Sequence, residues 1–251
     1  MNSTIILITG ANSGVGYATT KVLVSASKDF HIIMTSRSLT KVKTAMAELE
    51  ASKPAGSLSA LELDVTDQQS VDTAVAHVTS QYGHLDVLIN NAAIGSRGPD
   101  VMKRFQDCLT TNVIGPAVVA AAFRPLLLKS SNPYSLFVSS GAASMGKASD
   151  PTDAVYKVNI PNGGAYRVSK AALNMLVLQE WIKYAETGLK VFAVCPGFVR
   201  SNLRGKSEEE VSGWGQAGDP VVAGEMILGI VKGERNADVG KFVWKDGVYA
   251  W

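Results

Sequence analysis

The sequence lacks several features that would assign the chain to a specialised class. Its two cysteines, Cys108 and Cys195, lie far apart with no Cys-x-x-Cys spacing, which excludes a disulfide framework and a thiolate zinc site. The three histidines are scattered, so no metal site is predicted. Because Cys195 ends an apolar run, we expect it to be a buried structural thiol.

Charge of one sign and long apolar runs are also scarce. The net charge is +2, from 24 basic and 22 acidic residues, with no run of five like charges. Nucleic acid and anionic membranes are therefore not expected as partners. The apolar residues 5–8 are too few for a signal peptide or a membrane span. We expect a soluble, cytoplasmic protein.

Short apolar segments alternate with helix-like segments along the whole chain. Unbroken apolar strands indicate burial on both faces, and such alternation is typical of a parallel sheet covered by helices. We predict an α/β fold in one domain, residues 1–251, with a doubly wound sheet of about seven parallel strands. Strands are predicted at 5–8, 31–34, 58–63, 87–89, 135–138, 191–194 and 242–244, and helices at 15–25, 40–51, 68–82, 101–128, 165–185 and 221–231.

Two long stretches interrupt the alternation. Residues 144–164 form an extended loop before a predicted helix, and residues 202–219 form a second irregular stretch that contains Trp214. Long loops in compact domains commonly carry function, so both are candidate substrate walls, with plain surface excursions as the alternative. Trp214 could equally cover a ligand or act as a packing anchor.

A glycine-rich loop follows the first predicted strand. Glycines at this point let the backbone turn tightly and approach a pyrophosphate, whose charge then faces the N–H groups of the next helix. The spacing is Gly-x-x-x-Gly-x-Gly, not the common Gly-x-Gly-x-x-Gly, and an ordinary strand-to-helix turn is the alternative. The candidate cofactor-binding residues here are Gly10, Asn12, Ser13, Gly14, Val15 and Gly16.

The end of the second predicted strand indicates which dinucleotide would bind. An acidic residue there would hydrogen-bond the ribose hydroxyls of NAD, but this chain has Ser36 followed by Arg37. A guanidinium can bind a 2′-phosphate with two hydrogen bonds, which favours NADP(H), although a solvated surface arginine is the alternative. At the ends of the third and fourth strands, Asp64, Val65, Asn91 and Ala92 could line the adenosine.

Tyr166 and Lys170 lie four residues apart on a predicted helix and therefore share one face. An ammonium beside a phenol would lower the pKa of the phenol from its usual value of about 10. Tyr17 and Lys21 have the same spacing. Spacing alone does not choose between the two pairs.

The order of the motifs makes that choice through a resemblance to a known family. With Thr9-Gly-(x)3-Gly-x-Gly, Asn90-Asn-Ala-Ala, Asn112, Ser139-Ser140, Tyr166-(x)3-Lys170 and Pro196-Gly-Phe-Val in this order, nearly the whole chain resembles the short-chain dehydrogenase/reductase family, with its Rossmann-type fold. The longer segment between Ser140 and Tyr166 resembles carbonyl-reductase-like members. A homodimer, a homotetramer and a monomer all remain open.

The resemblance implies a role for each matching residue. It implies that Tyr166 is the general acid/base, that Ser140 binds the carbonyl oxygen and that Lys170 both lowers the tyrosine pKa and holds the nicotinamide ribose. Asn112 would fix a water molecule that links the lysine to solvent. Further implied cofactor contacts are Pro196, Gly197, Val199 and Ser201.

The expected function is NADPH-dependent reduction of a ketone or aldehyde in a small organic substrate. Two alternatives stay open. The same site could catalyse imine reduction, isomerisation, dehydration or cyclisation, or the chain could be a non-catalytic NADP-binding regulatory protein.

Overall fold

Eight strands form one central sheet in the computed structural model, which describes residues 3–153 and 163–251. The order across the sheet is β3-β2-β1-β4-β5-β6-β7-β8, and every neighbouring pair is parallel except β7 and β8. Residues 154–162 of the predicted loop 144–164 lie outside the described residues. The strands are β1 (Thr4–Ile8), β2 (Phe30–Ser36), β3 (Ser57–Glu62), β4 (Val87–Asn90), β5 (Tyr134–Val138), β6 (Lys190–Val194), β7 (Phe242–Trp244) and β8 (Gly247–Tyr249).

The helices begin and end at recognisable signals in the sequence. Ser38 and Asp67 cap the helices that follow them by accepting backbone N–H groups, and Gly83 ends one helix in the left-handed region at φ +73°. In the described ranges the helices are α1 (Gly14–Ala26), α2 (Leu39–Glu50), α3 (Gln68–Tyr82), α4 (Val101–Leu109), α5 (Gly115–Leu127), α6 (Met145–Ser149), α7 (Gly164–Tyr184), α8 (Glu208–Val211) and α9 (Val221–Val231).

Each face of the sheet buries its own apolar core. On one face, Leu7 and Phe123 pack in a cluster with Val177 of α7. On the other face, Ile8 packs in a cluster with Ile227 of α9. Each fully buried aliphatic or aromatic side chain contributes about 1.5–3 kcal/mol. The two cores confirm the predicted doubly wound α/β fold.

The sheet has one strand more than the seven that the apolar pattern indicates. After β7 the chain turns through Lys245 and Asp246, and Gly247 pairs with Trp244 as β8 begins. The short turn makes β8 antiparallel to β7, as in a hairpin. The residues after 244 are therefore partly a sheet strand.

The predicted helix 101–128 is interrupted in the middle. A π-helical turn, Thr110–Ile114, joins α4 to α5 and carries the buried side chain of Asn112. Such π turns often occur at functional sites. The continuous stretch Val101–Leu127 is long and apolar enough to span a membrane by length and composition alone. Here it packs through Val119 and Phe123 in the core beside the sheet.

Candidate active site

The loops after β1, β4, β5 and β6 meet at the carboxyl edge of the sheet. The order of the strands reverses at β1, which pairs with β2 on one side and β4 on the other. Ligands of open α/β sheets bind at this kind of switch point. The predicted glycine loop and the catalytic candidates lie at this edge.

The glycine loop is tied to the loop after β4 by hydrogen bonds. The Asn91 side chain donates from Nδ2 to the carbonyl oxygens of Thr9 (2.8 Å) and Gly10 (3.1 Å). The Thr9 hydroxyl accepts the backbone N–H groups of Asn91 (2.9 Å) and Ala92 (3.0 Å). Asn91 and Ala92 thus fix the shape of the glycine loop. Both residues are also predicted to line the adenosine of the cofactor.

The three glycines of the loop let its backbone turn tightly and pack closely against neighbouring protein atoms. Gly10 and Gly14 have φ of +66° and +56°, in the left-handed region that favours glycine. A Cβ at Gly16 would lie 2.5 Å from Asn91 Nδ2 and 2.5 Å from the Gly10 carbonyl oxygen. Ser201 lies beside Gly14, 3.4 Å from the position of a Cβ there. This backbone cradle at the start of α1 fits the pyrophosphate of a dinucleotide.

The remaining residues that are predicted to bind the cofactor are spread over several parts of the fold. Arg37 is exposed at the end of β2, and Val65 lies against Gly115. The Asp64 carboxylate accepts the backbone N–H (2.9 Å) and the hydroxyl (2.7 Å) of Thr66. Val199 pairs with Gly218 in an isolated bridge. Asn12, Ser13 and Val15 are half-buried in the glycine loop, and Pro196 and Gly197 form the turn after β6.

The structure brings Tyr166, Ser140 and Lys170 together. The Ser140 side chain lies near enough to the Tyr166 phenol to lower the pKa of that phenol. The Lys170 ammonium lies 5.9 Å from the centre of the Tyr166 ring and donates to the Val138 carbonyl oxygen at 2.7 Å. The rival serine, Ser139, is buried and donates to Asn174 Oδ1 at 2.6 Å. Ser140, and not Ser139, faces the phenol.

Asn112 connects the π turn to α7, the helix that carries Tyr166 and Lys170. Its Nδ2 donates to Ser169 Oγ (2.9 Å) and to the Ile94 carbonyl oxygen (2.9 Å), while its Oδ1 accepts the Ile94 N–H (2.9 Å). Ser169 in turn donates to the Tyr166 carbonyl oxygen at 2.7 Å. The side chain therefore fixes the loop after β4 to the helix of Tyr166. Its part in holding a water molecule stays a prediction.

The alternative pair, Tyr17 and Lys21, lies in different surroundings. The Tyr17 hydroxyl donates to Glu48 Oε2 at 3.4 Å, and burial raises its pKa, with the negative charge of Glu48 adding to that effect. A carboxylate beside a phenol opposes its ionisation. Of the two pairs, only Tyr166 and Lys170 adjoin a serine at the carboxyl edge of the sheet.

The pKa values of the central pair follow from burial. Burial raises the pKa of Tyr166 to about 12, although Ser140 and the positive charge of Arg204 act in the opposite direction. Burial lowers the pKa of Lys170 to about 7. Desolvation of the phenol is the largest effect on the pKa of Tyr166, and the role of Lys170 in lowering that pKa stays a prediction.

A family model described as short chain dehydrogenase matches residues 4–212. The chain belongs to this family. The short-chain dehydrogenase/reductase tropE of Talaromyces stipitatus is 34% identical, with 96% of this chain and 95% of that protein covered. The (+)-neomenthol dehydrogenase of Arabidopsis thaliana is 30% identical, with 80% and 84% covered. The NADPH-bound carbonyl reductase from chicken fatty liver has a similar structure, with a TM-score of 0.84, 27% identity and full coverage of both chains.

The sequence did not predict the hydrogen bonds that Cys195 makes in this short-chain dehydrogenase. The thiol is buried, as expected, and its sulfur accepts the N–H groups of Gly141 (3.0 Å) and Gly197 (3.4 Å). It thereby ties the turn after Ser140 to the turn after β6. Its pKa is raised by burial, which keeps it a neutral thiol. Only the fold brings these two turns within reach of one sulfur atom.

The last residues of the sequence pack beside the segment that follows Ser140. Ser144 donates to the Ala250 carbonyl oxygen at 2.6 Å, and the Gly146 N–H donates to that of Trp251 at 3.1 Å. The Trp251 ring stacks on Phe242, with 5.7 Å between ring centres. Trp214, by contrast, is exposed and has a φ of +57°. Of the two tryptophans, Trp251 is the packing anchor.

The glycine cradle predicts a specific defect for Gly16→Ala. Since the new methyl group would approach the Gly10 carbonyl and the Asn91 side chain, the loop must shift, and the dissociation constant for NADPH should rise at least about tenfold. Fluorescence titration measures this constant. The control is Gly98→Ala, where a Cβ meets nothing within 4 Å. Unchanged NADPH affinity in Gly16→Ala would contradict the assignment of the cradle.

The buried Lys170 predicts a pH-dependent stability difference. Its folded pKa of about 7 lies below its ordinary value of 10.5, so the unfolded state binds more protons between these pH values. The cost of burying Lys170 is complete below pH 7 and declines as the pH rises. The free energy of unfolding of Lys170→Met should therefore exceed that of wild type most at pH 6.5. This difference should be about 3 kcal/mol smaller at pH 9.5.

Urea unfolding at the two pH values tests this expectation. The control is Lys183→Met, an exposed position on the same helix, whose stability difference from wild type should be the same at both values. A pH-independent difference for Lys170→Met as well would show that Lys170 is not a buried, partly deprotonated amine.

Proposed function

We propose that this short-chain dehydrogenase is an NADPH-dependent reductase that acts on the carbonyl group of a small ketone or aldehyde. The observation that carries the proposal is the position of the Tyr166 phenol, on which Ser140 acts, beside the buried ammonium of Lys170. A proton donor must be protonated before it reacts. With a pKa of about 12, Tyr166 is fully protonated at neutral pH.

Each catalytic residue then has a role that its position supports. The nicotinamide cofactor, when bound, supplies the hydride. Ser140 hydrogen-bonds the carbonyl oxygen and Tyr166 donates its proton to that oxygen as negative charge develops. An alkoxide is a stronger base than a phenolate, so this proton transfer is favourable even from a phenol with a pKa of about 12. Lys170, when protonated, stabilises the remaining phenolate and holds the nicotinamide ribose.

The choice of NADP(H) over NAD(H) depends on Arg37. It is exposed directly after β2, where its guanidinium can reach a 2′-phosphate. No carboxylate precedes it, because the position holds Ser36, whose hydroxyl donates to the Ser38 carbonyl oxygen at 2.9 Å. The NADPH bound to the similar chicken carbonyl reductase also supports this choice.

The substrate would lie between the predicted loops. In this proposal residues 202–219 and the described part of residues 144–164 form the walls of the pocket, next to Ser140 and Tyr166. The contacts of Ser144 and Gly146 with Ala250 and Trp251 support a fixed wall on one side.

The proposed proton donor predicts the effect of Tyr166→Phe. Removing the hydroxyl should lower kcat for carbonyl reduction at least about a hundredfold, since a general acid contributes 10²- to 10⁴-fold. The dissociation constant for NADPH should stay within about threefold of wild type. NADPH consumption with a panel of ketones, aldehydes and imines measures the rates.

Tyr17→Phe is the matched control, because Tyr17 has the same spacing to a lysine but faces Glu48. It should retain the turnover of wild type. Undiminished turnover in Tyr166→Phe would remove Tyr166 from the mechanism. Consumption with imines alone would favour imine reduction, and no consumption with any compound would favour a non-catalytic role.

The proposed phosphate contact predicts the effect of Arg37→Ala. Loss of a charge-assisted contact should raise the dissociation constant for NADPH about tenfold or more and leave that for NADH within about twofold. The control is internal, because the same variant is titrated with NADPH and with NADH. Equal losses for NADPH and NADH would contradict the role of Arg37.

A further inference from the structure

Arg204 lies in the loop after β6 with its guanidinium held in a fixed orientation. Its Nη2 donates to the carbonyl oxygens of Val199 (2.8 Å) and Val211 (2.9 Å), and its Nε donates to that of Glu210 (2.9 Å). One face of the guanidinium covers the Phe198 ring at 4.6 Å from its centre. The group is half-buried and pre-organised before any ligand arrives.

The positive charge of Arg204 is not balanced by a carboxylate from the described part of the chain. Arg200, Arg124 and Arg235 each pair with an acidic side chain, but Arg204 forms no such ion pair. The Glu210 carboxylate is instead used by the N–H groups of residues 206 and 207 and by the Ser207 hydroxyl. Arg204 Nη1 has no hydrogen-bond partner in residues 3–153 and 163–251.

A partly desolvated cation with unused donors favours an anionic ligand. Burying a charge without a partner costs free energy, and a carboxylate that accepts its hydrogen bonds recovers part of that cost. Burial lowers the pKa of Arg204, and the neighbouring charge of Arg97 lowers it further. The Tyr166 phenol acts on the pKa of Arg204 in the opposite direction.

Arg204 also lies close to the proposed proton donor. Its charge acts on the Tyr166 phenol and favours the ionised form. The loop of Arg97 reaches the same place, since a Cβ at Gly95 would lie 2.9 Å from the Leu203 carbonyl oxygen. Arg97 itself makes contacts within the protein. Two loops therefore bring positive charge to the side of the site where a substrate meets Tyr166.

We propose that Arg204, with the positive charge of Arg97 beside it, binds a carboxylate group of the substrate, which makes the substrate an oxo acid. This inference rests on the proposed carbonyl reduction. The Nη1 edge of Arg204 donates to the carboxylate while the Nε and Nη2 edges stay bonded to the loop. The carboxylate thereby orients the carbonyl group toward Tyr166 and Ser140.

The experiment compares each oxo acid with its own methyl ester. Benzoylformate, 3-acetylbenzoate and 4-acetylbenzoate are the acids, and NADPH consumption gives kcat/KM for each acid and ester. Wild type should prefer at least one acid over its ester about tenfold or more. In Arg204→Gln that preference should fall at least about tenfold, mainly through a higher KM for the acid.

A purely structural role for Arg204 predicts a different result. Loosening of the loop would lower kcat/KM for acid and ester by the same factor and leave their ratio unchanged, which would overturn the proposal. Arg200→Gln is the matched control, because Arg200 lies in the same loop but pairs with Glu208. It should keep the wild-type ratio.

The outcomes also separate this proposal from the one on which it depends. If wild type reduces the esters as well as the acids, and Tyr166→Phe reduces neither, carbonyl reduction stands and the carboxylate subsite fails. If wild type reduces none of these compounds or the ketones and aldehydes of the wider panel, both proposals fail. A lost preference in Arg204→Gln, with the esters still reduced, supports both.

Discussion

The buried ammonium of Lys170 is the constraint on which the site depends. It donates to the Val138 carbonyl oxygen at the end of β5 and has no carboxylate partner in the described residues. This hydrogen bond joins the catalytic helix to the strand that leads directly to Ser139 and Ser140. Burying an amine without an anionic partner costs free energy, so the packing of the fold around it must offset that cost. That packing also brings the Tyr166 phenol and the Ser140 hydroxyl into contact.

The chemistry favoured by this arrangement is proton donation. A phenol with a pKa of about 12 is almost entirely protonated at neutral pH. It can therefore donate a proton, and very little of it is ionised and able to accept one. In the proposed reaction this protonated phenol would serve as the acid. The glycine cradle and the Thr9 and Asn91 contacts lie on the same carboxyl edge of the sheet.

The sequence was sufficient for the fold, because the fold depends on local order, whereas the roles of the candidate site residues stay predictions. Apolar runs and caps predict strands and helices, and the parallel topology places the residues after each strand at one edge. The sequence could not predict the sign of the Tyr166 pKa shift, since desolvation depends on how other elements cover the phenol. The hydrogen bonds of Cys195 and Arg204 were not predicted for a related reason: their partners are backbone groups that the folded chain brings near.

The protonation of Lys170 is the property that tests this account most directly. Nuclear magnetic resonance of ¹⁵N-lysine-labelled protein, with Lys170→Arg to assign the signal, follows the side-chain nitrogen as the pH changes. The account predicts a titration midpoint near pH 7. A midpoint near the ordinary value of 10.5 would show that the ammonium is solvated or paired with an acid, and would contradict the buried arrangement described for this site.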